Sequence, residues 1–91
     1  MKLIKITAIW CMSCILMNEM LKKIENENEK KYETIDYDFD TDADEVKPYD
    51  VGTILPVYIL VDENGDECAR SIGEKNKKEL MAFFTSNGGF Q

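Results

Sequence analysis

The chain has 91 residues, a mass of 10.5 kDa and a hydrophobic content of 44%, which suits a single domain over residues 1–91 and excludes a disordered chain. It carries no apolar run near the ~20 residues of a membrane span, and residues 1–10 do not show a signal-peptide pattern, so we expect a cytoplasmic protein. The net charge of −7 excludes nucleic acid and membrane as partners, because both are bound by basic surfaces.

The first half of the chain predicts strand, helix, strand and short helix. The apolar, β-branched segment 2–9 predicts a buried strand. Apolar residues spaced by three and four predict a helix over 15–31, with a polar end. Alternation over 32–40 predicts a strand with one wet face, and 41–49 predicts a short helix capped by Thr41 or Asp42.

The second half predicts a hairpin followed by a helix. A continuous apolar strand is expected over 57–61 and a returning strand over 67–72, with Asn64-Gly65 in the turn between them. Asn76 and Glu79 have the spacing of a capping box that begins the last helix. The order β-α-β-α-β-β-α therefore predicts an α/β fold, in which a right-handed crossover makes the first two strands parallel.

The negative charge is concentrated in one stretch of the chain. Residues 25–50 hold 11 acidic and three basic side chains, whereas the remainder holds seven and eight. Alternate aspartates in this stretch do not make a calcium loop: counted from Asp40, Glu45 replaces the required glycine and Val51 the required glutamate. Since no acid lies between Trp10 and Glu19, we expect the surface around Trp10 to be free of carboxylates.

Cys11 and Cys14 lie where the first strand passes into the first helix, directly after Trp10. The free backbone N–H groups and positive dipole end of a helix start favour the reactive thiolate. Cys11 can then attack a disulfide as nucleophile, and Cys14 can resolve the mixed disulfide from one turn away. Catalysis by an imidazole base is excluded, because the chain has no histidine.

The third cysteine, Cys68, raises the questions of a metal site and of a structural or regulatory thiol. Zinc needs four ligands, and Cys68 is the only further soft ligand in the chain, so we predict no metal site and no built-in cofactor. On the returning hairpin strand, Cys68 is expected to be a partly buried structural residue; a regulatory or dimer-forming thiol is the alternative.

The chain resembles the thioredoxin family over almost its whole length. The matching features are Trp10-Cys11-x-x-Cys14, Asp38-Phe39-Asp40, Tyr49-x-Val51, Pro56, Asn64-Gly65 and Gly73. The family's additional N-terminal strand and helix are missing, so the resemblance implies a minimal thioredoxin fold with a four-stranded mixed sheet and three helices. It implies a monomeric thiol–disulfide oxidoreductase that acts on disulfide-containing protein substrates. A thioredoxin-reductase-like protein or another dithiol would recycle it, and the acidic stretch would repel wrong partners or meet a basic reductase.

The resemblance also implies a substrate-facing surface. Pro56 is expected in the cis form beside the nucleophile, with main-chain hydrogen bonds from Leu55 and apolar contacts from Ile54 and Leu55. Trp10 would shield the disulfide or touch the substrate. Met12 and Ser13 stand where thioredoxin has Gly-Pro, so they would tune the redox potential, and the Ser13 hydroxyl would donate to the Cys11 thiolate. The alternative is a thioredoxin-fold binding module whose cysteines do not turn over.

Lys5 departs from the family pattern. It stands six residues before Cys11, where thioredoxins usually have a buried acid. If its side chain points inward, we expect Lys5 to favour the thiolate forms of the cysteines. The alternative is that its ammonium group reaches the surface along its apolar stem.

Overall fold

The computed structural model describes residues 1–90 and confirms the predicted order of elements. In chain order the elements are β1 (Lys2–Thr7), α1 (Met12–Glu27), β2 (Glu33–Asp38), α2 (Ala43–Val46), a 3₁₀ turn (Lys47–Tyr49), β3 (Val57–Val61), β4 (Glu67–Ile72) and α3 (Lys77–Ser86).

The four strands form one mixed sheet in the order β2-β1-β3-β4. β1 is parallel to β2 and antiparallel to β3, and β4 is antiparallel to β3. A parallel neighbour requires a crossover, which α1 provides. β1 is a central strand, so the chain leaves the middle of the sheet at the carboxyl end of β1, after Thr7. The cysteines follow at this end of the sheet.

Side-chain alternation along β1 divides the core into two clusters. Leu3 belongs to the cluster that packs α1 and α3 on one face, and Ile4 and Ile6 belong to the cluster that packs α2 on the other. The first cluster contains Leu3, Met17, Leu21, Ile24, Tyr32, Tyr58, Leu60, Leu80, Phe84 and Phe90. The second contains Ile4, Ile6, Ala8, Cys11, Cys14, Val46, Leu55, Val57, Ile59 and Val61.

The boundaries of α1 differ from the predicted ones at both ends. The helix begins at Met12 rather than at residue 15, because Cys11 acts as its N-cap. It ends at Glu27 rather than at residue 31, since the charged segment that follows has no apolar face to bury, and the Asn28 amide donates to the Ile24 carbonyl at 2.9 Å.

The strands before and after α1 are also shorter than predicted. β1 ends at Thr7 and β2 covers Glu33–Asp38. The regular part of the short helix is only Ala43–Val46, where Asp42 is the N-cap without a side-chain capping bond and Val46 is the buried residue.

The hairpin and the last helix follow the prediction. Gly65 takes a positive φ of 85° in the turn, and its N–H donates to the Asp62 carbonyl at 3.1 Å. Asn76 and Glu79 form the predicted capping box, and α3 buries Leu80 and Phe84.

The prediction that Cys68 is partly buried is wrong, because its side chain is exposed. Leu60 pairs with Ala69 and Val61 pairs with Glu67, so the register shifts at this point and leaves Cys68 without a partner across the ladder. A residue at such a bulge on an edge strand is free to face solvent. Within residues 1–90, no helix has the length and apolar character needed to cross a membrane.

Candidate active site

The Cys11 sulfur occupies the N-cap position of α1. The residue has extended backbone angles (φ −97°, ψ 107°), and the N–H of Cys14 donates to its Sγ at 3.2 Å. An N-cap side chain usually accepts this bond with an oxygen atom; here a sulfur atom receives it. The start of the helix therefore places a backbone donor directly on the sulfur that was predicted to be the nucleophile.

The two cysteines differ in access to solvent and in ionisation. Both are free thiols; Cys11 is 9% exposed, whereas Cys14 is 1% exposed. Burial, together with the hydrogen bond and charge of Cys11, raises the pKa of Cys14 to about 12. At neutral pH Cys14 is therefore a protonated thiol behind the more accessible Cys11.

The segment before Pro56 approaches Cys11 from across the sheet. The Leu55–Pro56 peptide bond is cis, as predicted. The Cys11 thiol donates to the Leu55 carbonyl over 3.8 Å, although 44 residues separate them. The Leu55 and Pro56 side chains are buried, so Leu55 can offer a substrate its main chain but little of its side chain.

Three large apolar side chains around the cysteines face solvent. Trp10 is 63% exposed, Met12 is 67% exposed and Ile54 is 62% exposed. Large apolar side chains grouped on a surface are typical of interaction sites. The predicted substrate-facing residues Trp10, Met12 and Ile54 thus have accessible side chains.

Ser13 does not bond to Cys11, which corrects the sequence-based expectation. Its Oγ donates to Oε1 of Glu74 at 2.7 Å, 61 residues later in the chain. Two physical reasons favour this arrangement. A carboxylate is a stronger acceptor than sulfur, and the backbone N–H of Cys14 already donates to the Cys11 sulfur.

The expectation that the surface around Trp10 is free of carboxylates is also wrong. Asp40 accepts a hydrogen bond of 2.6 Å from the Trp10 indole, and Glu74 accepts the one from Ser13. Both acids follow the end of a strand, Asp40 after β2 and Glu74 after β4. Sequence reasoning missed them because it considered only acids close to the cysteines along the chain, although Gly73 marked the loop that carries Glu74.

Lys5 is largely buried, with 13% of its side chain exposed, and its Nζ lies 3.4 Å from an Asp36 oxygen. The same Nζ is 5.9 Å from the centre of the Tyr58 ring. Tyr58 in turn donates to Asn18 of α1 at 3.0 Å, and burial, followed by the charge of Cys14, raises the pKa of Tyr58. Lys5 therefore belongs to a polar cluster between the sheet and α1.

No three acidic or sulfur side chains in the described part of the chain are arranged to hold a metal ion.

The model of the thioredoxin family matches residues 1–86. The chain belongs to the thioredoxin family. Its architecture is the minimal thioredoxin fold, and the Trp10-Cys11-x-x-Cys14 motif holds the family's cysteine pair at the start of α1. Among curated proteins, no relative matches significantly.

Solved structures share this fold. Oxidised mitochondrial thioredoxin 3 from Saccharomyces cerevisiae has a TM-score of 0.77 and 25% identity, covering 92% of this chain and 76% of its own. A malarial protein has a TM-score of 0.75 and 20% identity, with coverage of 96% and 98%. Reduced thioredoxin pre-protein from Schistosoma mansoni has a TM-score of 0.77 and 15% identity, with coverage of 93% and 76%.

Proposed function

We propose that this thioredoxin-family protein catalyses thiol–disulfide exchange with protein substrates, with Cys11 as the nucleophile and Cys14 as the resolving thiol. The observation that carries the proposal is the hydrogen bond from the Cys14 N–H to the Cys11 sulfur at 3.2 Å. It places the more accessible sulfur on the positive end of α1, where negative charge is favoured, and it keeps the second sulfur beside it.

The reaction transfers two electrons from the dithiol to the substrate. The Cys11 thiolate attacks one sulfur of the substrate disulfide, forms a mixed disulfide and displaces the other substrate sulfur as a thiolate, which takes up a proton. Cys14 then loses its proton and attacks the Cys11 sulfur. This second step releases the remaining substrate thiol and leaves a Cys11–Cys14 disulfide, which an external dithiol reduces.

The high pKa of Cys14 supports this order of attack. Burial is its largest cause, but the hydrogen bond and charge of Cys11 also contribute. When the Cys11 sulfur is tied into a mixed disulfide it no longer carries charge, so these contributions are lost. Cys14 becomes easier to ionise at the stage when its attack is required.

The surface around Cys11 suits an extended protein segment. Ile54, Trp10 and Met12 offer apolar contact. The Leu55 N–H forms no hydrogen bond within residues 1–90, and we assign to Leu55 the main-chain hydrogen bonds with substrate. Pro56 is buried below this segment and supports it.

Recycling requires a reductant, for which we propose a thioredoxin-reductase-like protein or another dithiol. The acidic stretch of residues 25–50 favours a basic partner surface, because opposite charges increase the rate of encounter. Electrostatic attraction of this kind weakens with added salt. Reduction rates that do not change between low and high salt would therefore contradict a role of the acidic stretch in binding the reductase.

The test is the reduction of a disulfide-containing protein such as insulin, with dithiothreitol as the electron source. Cys11→Ser should abolish the acceleration over dithiothreitol alone. In a separate reaction without dithiothreitol, reduced Cys14→Ser should instead accumulate a mixed disulfide with the substrate, visible as a mass increase that later addition of dithiothreitol removes. Cys68→Ser is the matched control and should keep the full rate.

Full activity in Cys11→Ser would overturn the proposal. Binding of the same protein partners by both active-site variants, without reduction by the native protein, would instead identify a thioredoxin-fold binding module.

A further inference from the structure

The loop between β4 and α3 brings one acidic side chain to the cysteines. Gly73 in this loop has a φ of 87°, and a Cβ built on it would lie 3.2 Å from Ile54. The loop therefore packs closely against the segment that precedes Pro56. Glu74 follows Gly73, and its Oε1 accepts the hydrogen bond from Ser13 at 2.7 Å.

Glu74 forms no ion pair within residues 1–90. No lysine or arginine in the described part of the chain lies within ion-pair distance of its carboxylate. Lys75 donates to the Ile72 carbonyl at 2.8 Å instead. Only Oε1 has a hydrogen-bond partner within residues 1–90, so Oε2 of this exposed side chain is available to a ligand.

Ser13 fixes the position of the Glu74 carboxylate. It lies in the first turn of α1, between the two cysteines in sequence, so its hydrogen bond holds the Glu74 carboxylate against the turn that carries both cysteines. Glu74 also lines a groove of about 490 Å³ that continues along α1 past Leu16 and Met20. The other charged residues that line this groove are Glu19, Lys23, Lys75 and Lys77. Of the charged residues in the groove, only Glu74 forms a hydrogen bond with Ser13.

A second carboxylate stands on another side of the site. Asp40 is held by the Trp10 indole at 2.6 Å, and like Glu74 it forms no ion pair within residues 1–90. The residues on either side of Cys11 in the sequence, Trp10 and the Met12-Ser13 pair, thus include two that are hydrogen-bonded to carboxylates without an ion-pair partner.

We propose that Glu74 makes the site selective for disulfides that carry a positive charge close to the exchanging sulfur, such as a cystine flanked by lysine or arginine. This selectivity rests on the thiol–disulfide exchange proposed above. The attacking thiolate and Glu74 are both negative, so an anionic disulfide is repelled and a cationic one is attracted. The charge of Asp40 acts on the substrate with the same sign, but only Glu74 is hydrogen-bonded to a residue between the two cysteines.

The test compares three small disulfides of similar length that differ in charge: cystamine, bis(2-hydroxyethyl) disulfide and 3,3′-dithiodipropionate. Rate constants for their reduction are measured at low salt in the native protein and in Glu74→Gln. The glutamine keeps a carbonyl oxygen to accept the Ser13 bond but removes the charge. The ratio of cystamine to dithiodipropionate rates should fall by about two- to fivefold, the range expected for one exposed charge pair.

The ratio separates selectivity from thiol reactivity. The same Cys11 thiolate attacks every disulfide, so a change in its ionisation multiplies all three rates equally and cancels in the ratio. Glu74→Lys should lower the ratio further than Glu74→Gln, because a positive charge in this position raises the dithiodipropionate rate relative to cystamine. Added salt should lower the native ratio toward that of Glu74→Gln, because it screens exposed charges.

Glu63→Gln is the matched control. It makes the same change in net charge in the β3–β4 turn, at the end of the sheet away from the cysteines, and should leave the ratio unchanged. An unchanged ratio in Glu74→Gln, or an equal change in Glu63→Gln, would overturn the selectivity while the exchange activity stands. Failure of the native protein to reduce any of the three would overturn the exchange activity and the selectivity with it.

Discussion

The Nε1 of Trp10 donates a hydrogen bond to Oδ2 of Asp40 at 2.6 Å, which connects the residue before Cys11 to the chain beyond β2. The indole is 63% exposed, so little packing holds it. Its orientation over the site therefore depends mainly on this bond, which neighbouring residues in the sequence do not reveal.

Replacing Asp40 by alanine removes this acceptor. We expect the Trp10 fluorescence anisotropy to fall and its emission to shift to longer wavelength, because the ring becomes mobile and more hydrated. The free energy of unfolding should fall by about 1 kcal/mol, as for one hydrogen bond at the surface. Asp44→Ala, another exposed aspartate of the acidic stretch, is the control and should leave the Trp10 emission unchanged; equal spectra for native protein and Asp40→Ala would contradict the assignment.

Alkylation should distinguish the two active-site thiols. In a Cys68→Ser background, which removes the exposed third thiol, iodoacetamide at pH 7 should modify Cys11 at least ten times faster than Cys14. Cys14 is 1% exposed and its pKa is raised to about 12, and only a thiolate is an effective nucleophile. Peptide mass spectrometry after timed quenching measures both rates, and comparable rates would show that Cys14 is not the protected thiol.

The same pKa predicts how the stability of the reduced protein depends on pH. Since the pKa of Cys14 rises from 9.0 to about 12 on folding, the native state holds a proton that the unfolded chain loses above pH 9. The stabilisation is therefore complete below pH 9 and is lost as the pH rises toward 12. Burial also raises the pKa values of Tyr32 and Tyr58, so these residues add to the loss above pH 10.

Cys14→Ala isolates the cysteine's share of this pH dependence. Both proteins keep the two tyrosines, so the difference between their slopes of unfolding free energy against pH, measured by urea denaturation from pH 8 to 11, belongs to Cys14 and to the effect of its charge on Tyr58. We expect the shallower slope in Cys14→Ala. Identical slopes would mean that folding does not shift the ionisation of this thiol.

The architecture could be predicted from the sequence because its signals are local. The Asn64-Gly65 turn and the capping box from Asn76 to Glu79 each act within a few residues. The spacing of apolar residues predicts a start of α1 at residue 15, three residues too late, because the first turn holds the cysteine motif and the sulfur of Cys11 takes the N-cap position.

The surroundings of the cysteines could be predicted only in part. The residues that flank the motif follow from chain order. Asp40, in contrast, lies 30 residues along the chain from its partner Trp10, and Glu74 lies 61 residues from its partner Ser13. Such contacts depend on which strands are neighbours and where each one ends. The exposure of Cys68 likewise depends on a register shift opposite Leu60 and Val61, for which the pattern of residues gives no sign.

Lys5 can be used to test whether a positive charge within the sheet changes the ionisation of the cysteines. Its side chain is mostly buried, with the ammonium group beside Asp36 and Tyr58, and a positive charge in this position should favour thiolates at the adjacent end of the sheet. Lys5→Met keeps the apolar stem and removes the charge. We expect the thiolate absorbance at 240 nm and neutral pH to fall by roughly a factor of two, a modest effect because Asp36 offsets part of the charge.

Lys2→Met is the matched control for Lys5. Lys2 is an exposed lysine at the opposite end of β1, so its removal changes the net charge equally without affecting the polar cluster. An unchanged thiol titration in Lys5→Met, or an equal change in Lys2→Met, would show that Lys5 does not influence the cysteines and that its role lies in the ion pair with Asp36.

Gly73 allows a close approach between the loop after β4 and the segment before Pro56. Its φ of 87° is unfavourable for any residue with a Cβ, and the added carbon of alanine would lie 3.2 Å from Ile54. Its N–H also donates to the Pro56 carbonyl at 2.9 Å. Gly73→Ala should therefore lower the free energy of unfolding by about 1–2 kcal/mol, measured by urea denaturation, and should raise the KM for a protein disulfide because Ile54 must move.

Gly52→Ala is the control that separates strain at this loop from a general effect of replacing glycine. A Cβ at Gly52 meets nothing within 4 Å, and its φ is not in the positive range. Its unfolding free energy should stay within about 0.5 kcal/mol of the native value, with an unchanged KM. If both variants lost the same stability, or if Gly73→Ala kept the native KM, the close contact with Ile54 would not shape the surface on which the substrate binds.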